Sequence, residues 1–260
     1  MKIVSYNVNG IRAAIGKGLV SWLGETDIDV LCLQETKAQA AQIDTKAFEE
    51  LGFNCYYTCA EKKGYSGVAI FTKVKPDNVV YGMGNPKYDS EGRVIRADYG
   101  DFTLICVYIP SGTSGDERQA FKMEFLADFK VFIDELRKER PNILVCGDYN
   151  IAHTPIDINH PERQKGVSGF LPEERDWVTE FLESGMIDTF RVFDDRAEQY
   201  SWWSYRFNSR SRNAGWRIDY HMASEPLRDK LVKAEIWQHV VHSDHCPIFV
   251  ELGIRNYGII

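Results

Sequence analysis

No segment of this 260-residue chain approaches the apolar length that spans a bilayer, which excludes a helical membrane protein. The chain opens with Met1-Lys2-Ile3-Val4, already the start of a strand, so no signal peptide is expected and the expected location is cytoplasmic. Cysteine is sparse, with six residues and no C-x-x-C pair. Cys32, Cys55, Cys59, Cys106, Cys146 and Cys246 sit mostly in apolar runs and read as buried thiols of a reducing compartment. A zinc site on Cys55 and Cys59 lacks a matching His or Cys pair nearby. Glycine-rich phosphate loops of the G-x-G-x-x-G or Walker type are missing, as are low-complexity linkers and internal repeats. Positive charge is also short. A net charge of −7 and a pI near 5.5 exclude a protein that coats nucleic acid by bulk charge. They leave room for a locally basic face around an acidic, metal-binding centre.

What remains is an ordinary soluble composition, 44% hydrophobic and 27% charged, without a shift that would mark a linker. One domain over residues 1–260 is expected. Lys2 to Val8, Val30 to Leu33, Gly67 to Thr72, Ile218 to Ser224, Ile236 to His242 and Ile248 to Leu252 read as strands. Val94 to Tyr99 and Phe102 to Tyr108 read as a hairpin turning at Gly100-Asp101. Gly18 to Leu23 and Ala38 to Leu51 have helical composition. The longest helix is expected from Asp116 to Arg140, with Phe121, Phe125, Phe129, Phe132 and Leu136 recurring every three or four residues and Pro141 as its stop. Another follows from Pro172 to Gly185. Strands and helices intermingle, yet several strands are joined by connections too short for parallel crossovers. That pattern predicts a layered α/β sandwich with mixed sheets.

The informative polar residues stand at strand ends. Ile143-Leu-Val-Cys-Gly-Asp-Tyr-Asn150 is a buried strand, a glycine, then a carboxylate and an amide two apart, which face one side if the backbone stays extended. A surface turn and half of an active site both fit it. Asn7, Glu35, Tyr108, Asp219 and Asp244-His245 repeat the arrangement. A hard cation needs a few oxygen ligands plus water, and phosphate chemistry needs donors for the remaining oxygens and a carboxylate for the attacking water.

Taken in order, Ser5-Tyr-Asn-Val-Asn-Gly-Ile-Arg-Ala, Leu33-Gln-Glu-Thr-Lys, Gly64-Tyr-Ser-Gly-Val-Ala, Val107-Tyr-Ile-Pro, Gly147-Asp-Tyr-Asn-Ile-Ala-His, Gly215-Trp-Arg-Ile-Asp-Tyr and Ser243-Asp-His-Cys-Pro resemble the exonuclease III family of apurinic/apyrimidinic endonucleases. That family lies in the endonuclease/exonuclease/phosphatase superfamily, and the resemblance runs from Lys2 to about Leu252. It implies a DNase I-like, four-layer α/β sandwich, two central mixed β-sheets flanked by helices. It implies Mg²⁺, with Mn²⁺ as a substitute, held by Glu35 with Asn7 and Asp244 directly or through water. His245, oriented by Asp219, would contact the scissile phosphate, Asp148 would serve the attacking water, and Asn150 and Tyr108 would hold the phosphate or the nucleophile. The implied reaction cuts duplex DNA 5′ to an abasic sugar in base excision repair, with 3′-phosphodiesterase and 3′→5′ exonuclease activity beside it. The implied partner is double-stranded DNA with abasic or 3′-blocked sites; no membrane is implied, and a monomer is expected.

Phosphodiesterases of lipids and inositol phosphates share this superfamily, so the substrate must be read elsewhere. Trp202 to Ile218 carries Arg206, Arg210, Arg212 and Arg217 among aromatics and no acidic residue, which suits a phosphate backbone and an extrahelical sugar. By resemblance Trp202, Trp216 and Ile218 line the pocket for the flipped sugar and Arg206 enters the minor groove. Lys62, Tyr65 and Ser66 are expected on the DNA backbone. Three positions depart from many relatives: Asn9 in place of an aspartate, Ser111 after Tyr108-Ile-Pro, and Val167 in place of an asparagine. A binding protein that has lost turnover is the rival reading, and keeping every catalytic position argues against it.

Overall fold

Stretches such as Val30–Gln34 and Phe102–Tyr108 are buried at every residue, so they need cover on both faces and become inner strands of stacked sheets. The computed structural model describes residues 1–254; the last six residues of the expected 1–260 domain lie outside the described residues. Its strands are β1 (Lys2–Asn7), β2 (Val30–Gln34), β3 (Asn54–Thr58), β4 (Val68–Thr72), β5 (Asn78–Tyr81), β6 (Val94–Tyr99), β7 (Phe102–Tyr108), β8 (Asn142–Asp148), β9 (Met186–Asp188), β10 (Asp219–Ser224), β11 (Leu231–Ile236) and β12 (Ile248–Leu252). They form two six-stranded sheets, ordered β11-β12-β1-β2-β4-β3 and β5-β6-β7-β8-β10-β9. Each sheet has one parallel pair at its centre, β1 with β2 and β7 with β8, and its other neighbours run antiparallel. Read from β11 and from β9 respectively, the two sheets have the same pairing pattern.

The helices are α1 (Ile11–Gly16), α2 (Leu19–Gly24), α3 (Lys46–Glu49), α4 (Pro86–Asp89), α5 (Asp116–Glu139), α6 (Pro172–Glu183) and α7 (Thr189–Phe193). Leu19, Leu23 and Phe48 cover the outer face of the first sheet with Leu31, Leu33 and Phe71. Phe125, Phe129, Ile133 and Leu136 of α5 pack with Trp177, Val178 and Phe181 of α6 on the outer face of the second. Between the sheets lies a third cluster built around Ile70, Ile95, Leu104, Leu144 and Val250. Helix, sheet, sheet, helix is the expected four-layer sandwich, with mixed sheets as the short connections required.

Two expected elements differ. Ile236 to His242 is not a strand: β11 ends at Ile236, and the chain turns there, with Val240 N–H bonded back to the Trp237 carbonyl. Ala38 to Leu51 holds only a 3₁₀ turn at Ala40–Gln42 and the four-residue α3. Ile43 takes an extended backbone between them, because Ile43-Asp44-Thr45 is poor helix-forming sequence and buries Ile43 instead. No helix among the described residues is long and apolar enough to cross a membrane.

Candidate active site

Three structural devices bring the strand-end residues together at one end of the sandwich. The first is register. The pairing of β8 sets Asp148 between Tyr108 on β7 and Asp219 on β10, so three functional groups occupy one row across the second sheet. The second is sheet stacking, which lowers the ends of β1 and β2 onto that row. Asn7 Nδ2 donates to Glu35 Oε1 at 2.8 Å and to Asp148 Oδ2 at 2.8 Å, tying the two sheets together. The third is backbone strain. Asn9, Glu35, Lys37 and Asn150 all line the cleft with left-handed φ values of 45°, 51°, 49° and 52°. Such angles in residues with side chains concentrate where the fold must aim a group. Asn150 is held so by the buried Lys122 ammonium, which donates to its carbonyl at 2.8 Å and is paired at 2.6 Å with the equally buried Glu174.

The cleft encloses about 400 Å³. Glu35, Tyr108, Asn150, Asp244 and His245 line it, and Trp202, Trp216 and Ile218 wall one side. Asn7, Asp148 and Asp219 are buried beneath. His245 Nδ1 and Asp219 Oδ2 are 2.9 Å apart, and the same carboxylate oxygen accepts the Ser201 hydroxyl at 2.6 Å. Burial opposes charge on the His245 ring, but Asp219 first, then Asp148 and Asp244, override it and carry its pKa up to about 10. The ring is therefore a cation at neutral pH, with Nε2 turned toward Asp148 Oδ2 at 3.9 Å, too far for a hydrogen bond. Asp148 Oδ1 accepts the Asn150 N–H at 2.8 Å. Burial and the nearby Asp219 and Glu35 carboxylates nonetheless push Asp148 up to about 8, against the opposing pull of His245. The buried Tyr108 phenol is held far above its usual range by burial and then by the charges of Glu35 and Asp148, so it stays a proton donor.

Glu35, Asp148 and His245 present ligand atoms within 4.8 Å of one another. Two carboxylates on a rigid frame, with the amide of Asn7 on both, are the hard donor set that a divalent cation accepts. Asp244 stands apart from that group. Its carboxylate accepts Asn9 Nδ2 at 3.0 Å, Trp202 Nε1 at 3.0 Å and the Ser243 hydroxyl at 3.1 Å. Cys55 and Cys59, the weak zinc candidate, join no metal-binding group among the described residues.

The basic loop divides in two. Arg206 and Arg212 are exposed. Arg217 is buried on Asp157 and Asp188, both at 2.7 Å, and Arg210 stacks on Trp203 while its guanidinium caps the carbonyls of Ser243, Gln238 and Val240. So half of the arginines grouped by composition are structural cations. Phe207 beside Arg206 is 84% exposed at a left-handed φ of 59°. Lys62 is exposed over the Tyr65 ring, and the Tyr65 hydroxyl accepts from Arg93 at 2.9 Å and Arg118 at 2.6 Å. Ser66, expected on the DNA backbone, is instead buried, side chain and main chain alike, and its carbonyl accepts the Lys37 N–H at 2.9 Å.

Sequence reasoning passed over several groups. Lys37 puts its ammonium 2.7 Å from Glu35 Oε2 and 2.6 Å from Asn9 Oδ1. Arg93, fully buried, donates to the Tyr108 carbonyl and lies over its ring, 4.8 Å from the centroid. Ser201 orders Asp219. Lys37 stood inside the quoted Leu33-Gln-Glu-Thr-Lys motif, so a signal existed; for Arg93 and Ser201 the chain offered none.

The chain matches the model of the endonuclease/exonuclease/phosphatase family over residues 4–245. It is 42% identical to an exodeoxyribonuclease of Bacillus subtilis (strain 168), over 98% of this chain and 100% of that one. It is 40% identical to the DNA repair nuclease APEX1 of Danio rerio, over 98% of this chain and 83% of the relative. The solved structure of an AP endonuclease from Archaeoglobus fulgidus superposes with a TM-score of 0.89 at 29% identity, covering 98% of this chain and 100% of the other. Fold, strand-end residues and these likenesses agree: the chain belongs to the endonuclease/exonuclease/phosphatase family, in its branch of exonuclease III-type apurinic/apyrimidinic endonucleases.

Proposed function

We propose that this protein is a divalent-cation-dependent DNA repair nuclease that hydrolyses the phosphodiester 5′ to an abasic site in duplex DNA. The same centre would carry 3′-phosphodiesterase and 3′→5′ exonuclease activity, for base excision repair in the cytoplasm, with the chain acting as a monomer. The observation that carries this reading is the His245–Asp219 pair and the Asp148 carboxylate beneath a cleft walled by Trp202, Trp216 and Ile218. Exodeoxyribonuclease, DNA repair nuclease and AP endonuclease are the names of the similar proteins, which supports DNA as the substrate.

Glu35, with Asn7 and Asp244 directly or through water, would hold Mg²⁺ or Mn²⁺, which supplies charge to polarise a phosphoryl oxygen. Every other part falls to the chain. His245 donates from Nε2 to a non-bridging phosphate oxygen, and Asp219 on Nδ1 keeps the ring charged and oriented. Asp148 orients the attacking water and takes its proton, for which a carboxylate with a raised pKa is a better base than an ordinary one. Asn150, fixed by Lys122, and the neutral Tyr108 phenol hold the phosphate in line. Trp202, Trp216 and Ile218 receive the sugar turned out of the duplex. An abasic nucleotide has no base to unstack, so it enters at the lowest cost. Arg206, Lys62 and Tyr65 grip the flanking phosphates, and the buried Ser66 supports the loop that carries Lys62 and Tyr65.

The test uses a duplex with one abasic-site analogue, incubated with Mg²⁺ or with EDTA. Cation-dependent incision on the 5′ side, leaving a 3′-hydroxyl, is expected, with Asp148→Asn and His245→Ala abolishing turnover but not DNA binding. No incision under any divalent cation, or near-normal rates in either variant, would overturn the reading.

A further inference from the structure

One step deeper than the cleft, the same strands carry a second cluster. Cys106 precedes Tyr108 by two residues on β7 and Cys146 precedes Asp148 by two on β8, so each thiol lies on the face of its catalytic neighbour. Cys32 stands two residues before Gln34 on β2, and Glu35 follows. All three cysteines are fully buried within the apolar layer between the sheets. None is disulfide-bonded, and their sulfurs lie within 4.8 Å of one another. Beside them, Gln34 Nε2 donates to Cys106 Sγ at 3.2 Å and to Ser5 Oγ at 3.0 Å. Gln34 Oε1, on the same fully buried amide, has no hydrogen-bond partner. The proposed hydrolysis uses none of these groups.

Geometry admits one thiophilic atom. Bonds of about 2.3 Å from a central atom place three sulfurs about 4 Å apart or less, within reach of small side-chain rotations. Charge decides which atom. Three thiolates around a divalent ion leave a net negative charge in an apolar layer, at a cost of several kcal/mol, and zinc also seeks a fourth ligand, which this group of three does not include. Burial opposes charge on all three thiols and raises Cys32 and Cys146 well above their usual range, while hydrogen bonds with Cys146, Cys32 and Gln34 draw Cys106 below it, so the cluster carries no more than one negative charge before it binds anything. A trivalent centre leaves it neutral afterwards.

We propose that Cys32, Cys106 and Cys146 form a three-thiol site for trivalent arsenic directly beneath the catalytic centre. Arsenous acid, itself uncharged, exchanges its three hydroxyls for the three thiols. Three As–O and three S–H bonds break, three As–S bonds form, and each hydroxyl leaves with one thiol proton as water. No electron is transferred. Drawing the sulfurs together staples β2 to β7 and β8 and displaces the strand ends that carry Glu35, Tyr108 and Asp148. Occupancy therefore inactivates the enzyme without touching the cleft.

The reduced protein is incubated with arsenite in urea below the unfolding transition, so that transient opening admits the ligand, then desalted. Arsenic per chain is measured by elemental mass spectrometry, and DNA incision is measured in parallel. One arsenic per chain is expected, with at least a tenfold loss of incision that a small dithiol reverses. Cys106→Val is expected to hold no arsenic and to keep its activity in arsenite, and Cys32→Ala serves as the second variant should the first fold poorly. Zn²⁺ in place of arsenite is expected to leave no bound metal. No retained arsenic in the wild type, equal retention in both cysteine variants, or stoichiometric zinc would overturn the site. Retained arsenic with undiminished incision would overturn its coupling to catalysis; because arsenic content is read independently of any substrate, it separates failure of this site from failure of the nuclease assignment.

Discussion

Replacing Asp219 by Asn should move the pH profile rather than merely lower it. His245 is raised from 6.5 to about 10, and Asp219 is the largest of the three carboxylates responsible. That rise corresponds to about 5 kcal/mol in favour of the protonated ring. Without Asp219 the ring loses the largest of those supports, and burial, the opposing influence, draws its pKa down toward the ordinary range against Asp148 and Asp244. At pH 8.5 the charged fraction then falls from nearly all toward about one part in a hundred, the limit reached by a ring with the ordinary value of about 6.5. Asp219 is also the strongest charge raising Asp148, so the ionised base forms at lower pH in the variant. Both limbs of kcat/KM should shift toward acid, leaving incision at pH 8.5 down by about tenfold to a hundredfold and partly recovered near pH 6. The stability consequence has a definite sign. A histidine with a raised pKa contributes fully below its unfolded value of 6.5 and loses that contribution as pH rises through about 10. Removing one partner of such a buried pair costs about 3 kcal/mol. The deficit in urea denaturation should therefore be largest at pH 6 and shrink above pH 10. A variant that keeps an alkaline limb near 10, or loses activity equally at all pH values, would refute this account of the pair.

Lys37→Met removes the ammonium on Glu35 Oε2 and should lower the Mg²⁺ concentration for half-maximal incision by about threefold to fivefold, the scale of a partly exposed ion pair; an unchanged or higher requirement would refute competition at Glu35. Gly147→Ala should abolish soluble expression or cost more than about 4 kcal/mol, because a Cβ there collides with the Val107 carbonyl across the β7–β8 ladder; a denaturation midpoint near wild type would count against it. Arg217→Met leaves Asp157 and Asp188 without their guanidinium and should cost about 3–5 kcal/mol at pH 7. Burial opposes charge on Asp157, but Arg217 and Arg191 hold it below the usual carboxylate range, so its contribution is present above pH 4 and lost on acidification. The gap between variant and wild type should close as pH falls below 4 in the same denaturation assay.

What could be read from the chain follows the depth of burial. The inner strands announce themselves as unbroken apolar runs, and their polar ends pick out Asn7, Glu35, Tyr108, Asp148, Asp219 and His245. The four strands that escaped notice or were misplaced, β3, β5, β9 and β11, are the four sheet edges. Apart from Ala234 of β11 their residues are half-buried or exposed, or number only three, so neither a run nor a clean alternation develops. Likewise Arg217 and Arg206 look alike in sequence. Only Asp157 and Asp188, brought in from 60 and 29 residues away, distinguish a buried cation from a free one.

The matching pattern of the two sheets has a thermodynamic corollary. Asn7 ends β1 as Asp148 ends β8, Glu35 follows β2 as Tyr108 ends β7, and His245 precedes β12 as Asp219 opens β10. Each of these partners across the seam meets the other: Asn7 with Asp148, Glu35 with Tyr108, His245 with Asp219. The reacting centre is thus also a clasp between the two halves of the sandwich. A ligand that engages both sides must favour the closed seam by its own binding free energy. Amide exchange in the inner strands of both sheets should accordingly slow together when substrate binds, including at positions far from the DNA.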